Sequence, residues 1–118
     1  VYLMNVEALA TKRGEGQLDE WLTLEQALLV VDESTSVKNP KAQRTKALTA
    51  LARRAAYRRI LTGSPITQSP LDLYAQLCVI DPKPFGLSSF YAFRNRYAKL
   101  AKRTVRKETV LPDGTKVW

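Results

Sequence analysis

The sequence predicts an α/β fold in which a parallel sheet is flanked by helices, and three observations support this prediction. Residues 28–31 form an unbroken apolar run that is typical of a strand buried on both faces of such a sheet. Segments with helical spacing alternate with short β-prone segments along the chain. Polar residues directly follow two of the β-prone segments, and ligands bind at the carboxyl ends of parallel strands. Because only about three strands are predicted, we expect an incomplete sheet and hence a piece of a longer protein.

The first part of the chain predicts a strand, a loop, a helix and a strand in turn. Residues 1–6 are apolar and β-prone, so we expect a strand there. Two glycines indicate a loop over residues 11–17. Residues 18–27 place apolar side chains at helical spacing and lead into the strand at residues 28–32. The side chains expected to face the core are Leu18, Trp21, Leu22 and Leu24 or Leu28.

The middle of the chain predicts a loop, a helix and a second sheet strand. After a loop at residues 34–37, Asn39 and Pro40 begin a helix well, because asparagine caps free amides and proline suits the first helical position. Residues 57–61 then predict a strand. The residues expected to face the core from the helix are Ala42, Thr45, Leu48, Leu51, Ala52 and Ala55.

The last part predicts two further helices and a hairpin. Ser69 and Pro70 should begin a helix, and Asp72 favours its positive end. Ser88 or Ser89 should cap the next helix. Residues 112–114 lie between β-prone segments and predict a hairpin turn in the tail. The apolar stripes expected on the two helices are Leu71, Tyr74, Leu77 and Cys78 on the first, and Phe90, Phe93, Tyr97 and Leu100 on the second.

Composition limits the possible chemistry. The 118 residues suit one modest core. No apolar run approaches the roughly 20 residues that span a bilayer, so we expect no membrane contact. The sequence has no histidine, which excludes Ser-His and Cys-His catalytic sites and argues against zinc. Its one cysteine, Cys78, cannot form an internal disulfide, and we interpret it as a core residue of a cytoplasmic protein.

The net charge of +8 indicates a polyanionic partner. Lysine and arginine together number 19, against 11 aspartates and glutamates. Binding to nucleic-acid phosphates with release of counterions is a common role for such an excess. A basic surface that only keeps the protein in solution explains the charge equally well, so charge alone leaves both interpretations open.

Chemically capable side chains follow the two predicted sheet strands. Asp32 and Glu33 come directly after one strand, and residues 62–64, Thr-Gly-Ser, come after the other. Paired acids at a strand end can hold magnesium and orient a water against a nucleotide phosphate, which is a Walker B pattern. A solvated strand end and an ordinary turn are the alternatives for each segment taken alone. If the strands are parallel neighbours, the two groups converge.

The residues around both strand ends resemble two helicase motifs. Residues 31–39 read V-D-E-S-T-S-V-K-N, which is similar to motif II, D-E-(A/G)-H-R-(I/L)-K-N, of the Swi/Snf-type ATPases in helicase superfamily 2. Residues 61–74 read L-T-G-S-P-I-T-Q-S-P-L-D-L-Y, which resembles motif III, L-T-G-T-P-I-Q-N-x-x-x-E-L-(W/Y). Residues 5–9 and 77–82 resemble the family segments T-Y-E-x-L and L-L-x-F-L-D-P. The D-E-S-T variant and residues 90–97 look most like helicases of bacteriophages and related bacterial elements.

The resemblance implies a partial RecA-like fold, that of P-loop NTPases. Residues 1–103 would be the second half of an N-terminal RecA-like lobe, and residues 104–118 a tail that begins a hairpin insertion. In such proteins ATP with Mg²⁺ lies between two RecA-like lobes of one chain, and its hydrolysis drives movement on DNA. We expect double-stranded DNA, held through its phosphate backbone. The parent would be a DNA-dependent ATPase or helicase in the cytoplasm of a bacterium or a phage-infected cell.

The resemblance also implies roles for single residues. Asp32 would hold Mg²⁺ through water, and Glu33 would orient or activate the water that attacks ATP. Three residues after the second strand would link the nucleotide state to domain closure. Two basic residues would reach DNA phosphates, and Lys38 is the motif residue best placed to do so. The three are Thr62, Gly63 and Ser64, and the two are Lys38 and Arg44.

The sequence departs from the family pattern in several places. Thr35 stands where the family has histidine, so the contact from there towards motif III must be made differently or be missing. Ser36 replaces an arginine, and Thr67 and Gln68 replace glutamine and asparagine. Neither a G-x-x-x-x-G-K-(S/T) phosphate loop nor a second-lobe arginine motif occurs in the sequence. We therefore expect the isolated chain not to hydrolyse ATP.

Two other interpretations stay open. The chain could be a basic nucleic-acid-binding α/β module with a degenerate nucleotide site, whose aromatic side chains stack on bases. Their helical spacing favours packing in the core instead. The chain could also be a structural α/β domain whose basic face is only solvated. The aromatic residues concerned are Phe90, Tyr91, Phe93 and Tyr97.

Overall fold

A computed structural model describes residues 1–24, 26–98, 109–110 and 116–117 of the chain. It has a mixed α/β fold with a small parallel sheet, which agrees with the predicted fold class. Within these residues, no helix has the length and apolar character needed to cross a bilayer. The elements are α1 (Lys12–Leu24), β1 (Leu28–Val31), α2 (Gln43–Ala52), β2 (Tyr57–Ile60), α3 (Asp72–Ile80), α4 (Phe90–Tyr97), β3 (Thr109–Val110) and β4 (Lys116–Val117), with short 3₁₀ helices at Val6–Ala10, Ser34–Val37 and Pro84–Gly86.

The central feature is the parallel pair of β1 and β2. Leu28 lies opposite Tyr57, and Val31 lies opposite Ile60. The Leu61 amide continues the ladder by donating to the Val31 carbonyl at 2.8 Å. The prediction that these two strands are parallel neighbours is confirmed, so their carboxyl ends leave the sheet at the same edge.

Burial of β1 on both faces was predicted, and this is wrong for the described chain. The side chain of Val31 is buried, whereas Leu28 is 57% exposed and Val30 is 48% exposed. Helices cover one face of a two-stranded sheet, and nothing among the described residues covers the other. The core lies on the covered side, where its members are Leu9, Leu18, Leu22, Ala27, Val31, Val37, Ala47, Leu48, Leu51, Ala52, Ala55 and Val79.

The predicted strand at residues 1–6 is absent from the described structure. This segment has no ladder partner among the described residues, and a 3₁₀ helix begins at Val6. The Asn5 side chain starts that helix by accepting a hydrogen bond from the Glu7 amide at 2.9 Å. Met4 and Val6 pack against the core. Packing of Met4 and Val6 therefore accounts for part of the apolar composition of this segment, whereas Val1 and Leu3 are exposed.

The predicted loop at residues 11–17 is the first part of α1. The Thr11 hydroxyl caps this helix by accepting a hydrogen bond from the Gly14 amide at 3.1 Å. A side chain at Gly14 would overlap the carbonyl oxygen of Ala8, so the helix can approach the preceding 3₁₀ helix only through glycine. Gly14 is therefore needed for a close approach between two helical segments, and it does not indicate a loop.

Helices α2 and α3 begin later than predicted, whereas α4 begins as expected. The two predicted start prolines, Pro40 and Pro70, lie in turns that precede the helices. Asn39 accepts from the Lys41 amide within the first of these turns. For α4, Ser89 is the cap, since its hydroxyl accepts from the Ala92 amide at 3.1 Å. The core positions predicted on α2 are buried, except Ala42, which is half-buried.

The C-terminal strands agree with a hairpin. β3 and β4 pair antiparallel, with Val110 opposite Lys116. The turn predicted at residues 112–114 and the core position predicted at Leu100 lie outside the described residues. Cys78 is buried, as predicted.

Candidate functional site

The acidic pair and the Thr-Gly-Ser loop lie at one edge of the sheet. Asp32 and Glu33 follow β1, and Thr62 begins the loop that follows β2, two residues beyond its end. Since the strands are parallel and in register, both segments leave the sheet in the same direction. The Ser34 amide donates to the Leu61 carbonyl at 3.0 Å, which joins the two segments directly beyond the strands.

Glu33 has an unusual backbone conformation. Its φ of 47° and ψ of 54° lie in the left-handed region, which costs a non-glycine residue on the order of 1–2 kcal/mol. Its amide donates to the Asp32 side chain at 2.9 Å, and its carbonyl accepts from the Ser36 amide at 2.9 Å. Strain of this kind persists only where the surrounding structure holds it. Both acidic side chains are exposed and therefore open to a ligand.

The two carboxylates can contribute to a cation site but do not complete one. Among the described residues, no group of three His, Cys, Asp or Glu side chains is placed to hold a metal. Mg²⁺ is typically bound by one or two carboxylates, with water and substrate phosphate as the other ligands. The donor set of Asp32 and Glu33 fits that mode.

The loop after β2 is open and polar. The Thr62 hydroxyl accepts from the Ser64 amide at 3.3 Å, and the Ser64 hydroxyl donates to the Ile66 carbonyl at 3.4 Å. A side chain at Gly63 would meet no atom within 4 Å. Packing within the described chain therefore does not require glycine at this position.

Gln76 is a residue of this region that sequence reasoning missed. It lies on α3, where the predicted stripe was Leu71, Tyr74, Leu77 and Cys78, but the fully buried positions include Gln76 itself. Its carbonyl oxygen accepts from the Ser34 hydroxyl at 2.7 Å, and its amide nitrogen donates to the Pro65 carbonyl at 2.8 Å. One sequence signal could have identified it. Gln76 lies beside Ala75 and three residues before Val79, in a helix that is otherwise mostly apolar, and this predicts a buried position.

A second connection joins Lys38 to α3. The Lys38 ammonium donates to the Thr67 hydroxyl and lies 3.9 Å from the Asp72 carboxylate. Asp72 in turn accepts from the Gln68 amide at 2.8 Å and from the amide and hydroxyl of Thr67 at 3.0 and 2.8 Å. These hydrogen bonds, that of Gln68 first, lower the pKa of Asp72 from its ordinary 3.8 to about 2.

These contacts link the segment that follows β1 to the segment that follows β2. The sequence left open how such a link is made, because Thr35 stands where the family has histidine. Here it passes from Ser34 through Gln76 and from Lys38 to Thr67 and Asp72.

The predicted DNA residue Arg44 also has partners within the chain. Its Nε donates to the Ser36 carbonyl at 3.1 Å, and its Nη1 lies 3.6 Å from the Glu7 carboxylate. The Arg44 side chain is half-buried and that of Glu7 is 73% exposed, so their pairing is weak. Lys38 is held more firmly, because its partner Asp72 is largely shielded from solvent.

The chain matches a known domain family and several known proteins. The family described as SNF2-related domain matches residues 13–110. The chain is 32% identical over 97 residues to the Caenorhabditis elegans SWI/SNF-related matrix-associated actin-dependent regulator of chromatin subfamily A-like protein 1 homolog, a match covering 82% of the chain and 13% of that protein. It is 34% identical over 86 residues to the mouse DNA annealing helicase and endonuclease ZRANB3, covering 73% and 8%.

One match is shorter but has a higher sequence identity. The chain is 42% identical over 57 residues to the mouse helicase-like transcription factor, covering 48% of the chain and 6% of that protein. The matches thus span between 6% and 13% of the length of these three relatives. No solved structure gives a significant match to the chain.

Proposed function

The chain belongs to the SNF2-related domain family, and we propose on this premise that it is part of an ATP-dependent DNA helicase or translocase. One observation carries the proposal. An acidic pair and a hydroxyl-bearing loop follow two parallel strands in register and are joined by the Ser34–Leu61 hydrogen bond. The named relatives include a DNA annealing helicase and a helicase-like transcription factor, which supports the same class of activity.

We assign Asp32 to Mg²⁺, through water, and Glu33 to the attacking water. The exposed carboxylates at a strand end support this assignment, and their donor set fits a cation completed by water and phosphate. When bound, Mg²⁺ offsets the charge of the nucleotide phosphates. Glu33 can accept a proton from a water within hydrogen-bond reach, and its fixed backbone limits the directions in which the side chain points.

The nucleotide loop, Thr62, Gly63 and Ser64, would respond to the nucleotide and link it to domain closure. Among the residues that the structure describes, its side-chain hydroxyls bond only to the nearby Ser64 amide and Ile66 carbonyl, and a side chain at Gly63 would meet no atom within 4 Å, so the loop can rearrange at low cost. Phosphate-binding residues and a second RecA-like lobe would come from other parts of a longer chain. The uncovered face of β1 supports this view, because Leu28 and Val30 are exposed there.

We propose further that residues 1–103 form the second half of the first RecA-like lobe and that residues 104–118 begin a hairpin insertion. The antiparallel pairing of β3 and β4 supports the second point. The bacteriophage or bacterial branch, and with it a cytoplasmic location, is proposed from the D-E-S-T variant of motif II and from residues 90–97.

DNA would bind through phosphate contacts of Arg44 and Lys38. Arg44 is the better candidate, because a weak pairing with Glu7 can be exchanged for a phosphate at little cost. Lys38 would first have to leave Asp72 and Thr67. We propose double-stranded DNA, held without sequence preference, since phosphate contacts carry no base information.

The alternative of a base-stacking module receives less support. Phe93 is buried, and Phe90 packs against Tyr74 with ring centroids 5.5 Å apart. Tyr91 is exposed, but the Arg94 guanidinium lies 5.0 Å from its ring centroid. Phe90 and Phe93 are therefore used in packing, as their helical spacing had indicated, whereas Tyr91 and Tyr97 are 62% and 41% exposed.

The test is Glu33→Gln in the complete protein that carries this chain. We expect loss of DNA-stimulated ATP hydrolysis with ATP binding largely retained, because the amide keeps the shape but cannot accept a proton. Glu20→Gln, which changes an exposed acid on α1, is the matched control and should leave turnover unchanged. Normal turnover in Glu33→Gln would refute the assignment.

A further inference from the structure

The Gln76 side chain lies between the acidic loop, which we define as residues 32–34, and Pro65, which directly follows the nucleotide loop. It is 0% exposed, as is the Ser34 side chain that donates to it. On its other side, the same amide group donates to the Pro65 carbonyl at 2.8 Å and to the Asp72 carbonyl at 2.7 Å. A single side chain on α3 therefore holds one residue of the acidic loop and Pro65, the residue that directly follows the nucleotide loop.

The orientation of this amide is set by its partners. The Pro65 and Asp72 carbonyls can only accept hydrogen bonds, so the NH₂ group must face them. The carbonyl oxygen of Gln76 is then left for the Ser34 hydroxyl, which donates to it at 2.7 Å. Since both NH₂ protons and the oxygen have partners, a buried polar group that would otherwise be costly is fully paired.

Ser34 is the residue next to the strained Glu33. Its amide is bonded to the Leu61 carbonyl and its hydroxyl to Gln76, so it is fixed at both backbone and side chain. A left-handed glutamate is retained only where its neighbours over-determine the backbone. Gln76 is one of the groups that does so.

We propose that Gln76 is a positioning residue that fixes the direction of Glu33 and couples it to the loop after β2. A shift of Pro65 moves the Gln76 amide, and through the Ser34 hydroxyl it moves the backbone of Glu33. The inference rests on the proposed function and extends it, because it names the connection by which the nucleotide loop sets the hydrolytic residue. Gln76 has no contact with the nucleotide in this scheme.

Two substitutions in the complete protein test the connection. Gln76→Met keeps a side chain of similar length but removes all three hydrogen bonds. Ser34→Ala removes only the bond between the acidic loop and Gln76, so it should cost less folding stability than Gln76→Met, which removes three hydrogen bonds. We expect each to lower the DNA-stimulated kcat at least about 10-fold, since small errors in the placement of a catalytic group are expensive. The KM for ATP should change by less than about twofold.

Val79→Ala is the matched control. Val79 is buried on the same helix and belongs to the core, but it makes no polar link to either loop. It should lower thermal stability while leaving kcat within about twofold of the wild type. The double variant Ser34→Ala with Gln76→Met should regain part of the stability of Gln76→Met, since no hydroxyl is left unpaired, but it should not regain kcat.

Hydrogen exchange gives a readout that does not depend on turnover. The Ser34 amide donates a hydrogen bond to the Leu61 carbonyl, and the Ser36 amide donates one to the Glu33 carbonyl. In the nucleotide-free protein, their exchange should accelerate at least about 10-fold in Gln76→Met and stay near the wild-type rate in Val79→Ala.

The outcomes separate the two proposals. A wild-type protein that hydrolyses no ATP would refute the proposed function and this inference with it. An active wild type in which Gln76→Met and Ser34→Ala keep full kcat would refute the inference alone. The inference alone would also be refuted if kcat in Gln76→Met and Ser34→Ala fell no further than in Val79→Ala. It would likewise be refuted if the exchange rates of the Ser34 and Ser36 amides did not change in Gln76→Met.

Discussion

At the scale of single residues, the main cost in the site is the left-handed backbone of Glu33. Its φ of 47° is a conformation that glycine adopts freely and that a side chain disfavours. A glutamate at this position is therefore kept at the expense of stability. Such an expense is typical of residues whose side chain is needed for function.

Replacing Glu33 should separate stability from activity. We expect Glu33→Gly to be more stable than Glu33→Ala by about 1 kcal/mol, because glycine removes the left-handed penalty that alanine retains. Both should lack hydrolytic activity in the complete protein. Chemical denaturation of the 118-residue chain checks the stability difference. Equal stability of the two variants would show that the φ of 47° carries no cost.

Asp72 should make stability depend on acidity below about pH 4. Its pKa falls from 3.8 to about 2 on folding, so the folded state binds its proton more weakly than the unfolded chain. The resulting stabilisation is fully present above the unfolded pKa and is lost as the pH falls through the folded pKa. Asp72→Asn should therefore be less stable than the wild type at pH 5, with a difference that shrinks towards pH 2.

Thermal unfolding between pH 2 and pH 6 measures this difference. Thr67→Val is the matched variant, because it removes the hydroxyl donor and leaves the two backbone donors in place. It should show part of the same dependence. A difference between wild type and Asp72→Asn that stays constant with pH would contradict the role given to this carboxylate.

At the scale of elements, two glycines of α1 have opposite roles. A Cβ on Gly14 would overlap the Ala8 carbonyl oxygen, which is backbone and cannot move aside easily. A Cβ on Gly16 would meet nothing within 4 Å. Both lie inside a helix, where glycine is less favourable than alanine by about 1 kcal/mol.

The two alanine substitutions should therefore change stability in opposite directions. We expect Gly16→Ala to raise the free energy of unfolding by about 0.5–1 kcal/mol. Gly14→Ala should lower it by about 1–3 kcal/mol, because the helix must move away from Val6–Ala10. Chemical denaturation of the 118-residue chain gives both values. Equal stabilisation by both would mean that the two helical segments do not pack as described.

These glycines also explain why part of the fold could not be predicted. Local signals placed β1, β2 and the cap of α4 correctly, because each depends on a short run of residues. The loop prediction for residues 11–17 failed because a glycine required by a close approach has the same local signature as a glycine in a turn. Only the distance between Ala8 and Gly14 distinguishes the two.

In the candidate site, too, some features could be predicted from local sequence and others could not. The positions of Asp32 and Glu33 after a strand follow from the sequence, since an apolar run ends there. The partners of Lys38 and the burial of Gln76 depend on how α3 packs against the acidic loop, which local pattern does not determine.

At the scale of the whole molecule, the sheet is uncovered on one face. The apolar run at residues 28–31 predicted a strand buried on both sides, and the described chain covers only one. A run of this composition is suited to a larger sheet than two strands. The uncovered face of the sheet therefore explains why the burial prediction failed, and it also supports the proposal that the chain is part of a longer protein.

The charge of the whole chain makes a prediction about DNA. With a net charge of +8, the 118-residue chain should bind duplex DNA weakly and lose it as salt increases, because each phosphate contact releases counterions. If Arg44 contacts a phosphate, Arg44→Gln should reduce the slope of log K against log salt by about 1. Arg13→Gln, an exposed arginine at the start of α1, has the same change in net charge and should reduce it less.

A titration of fluorescent duplexes at several salt concentrations measures these slopes. Equal slopes for the two variants would indicate that net charge, and not Arg44, governs binding. Binding that resists salt and selects one sequence would contradict a phosphate-backbone mode altogether, since backbone contacts neither survive high salt nor read bases. Because Arg44 gives up only a weak pairing with Glu7 on binding, Glu7→Gln should strengthen binding slightly, and this change should disappear in an Arg44→Gln background.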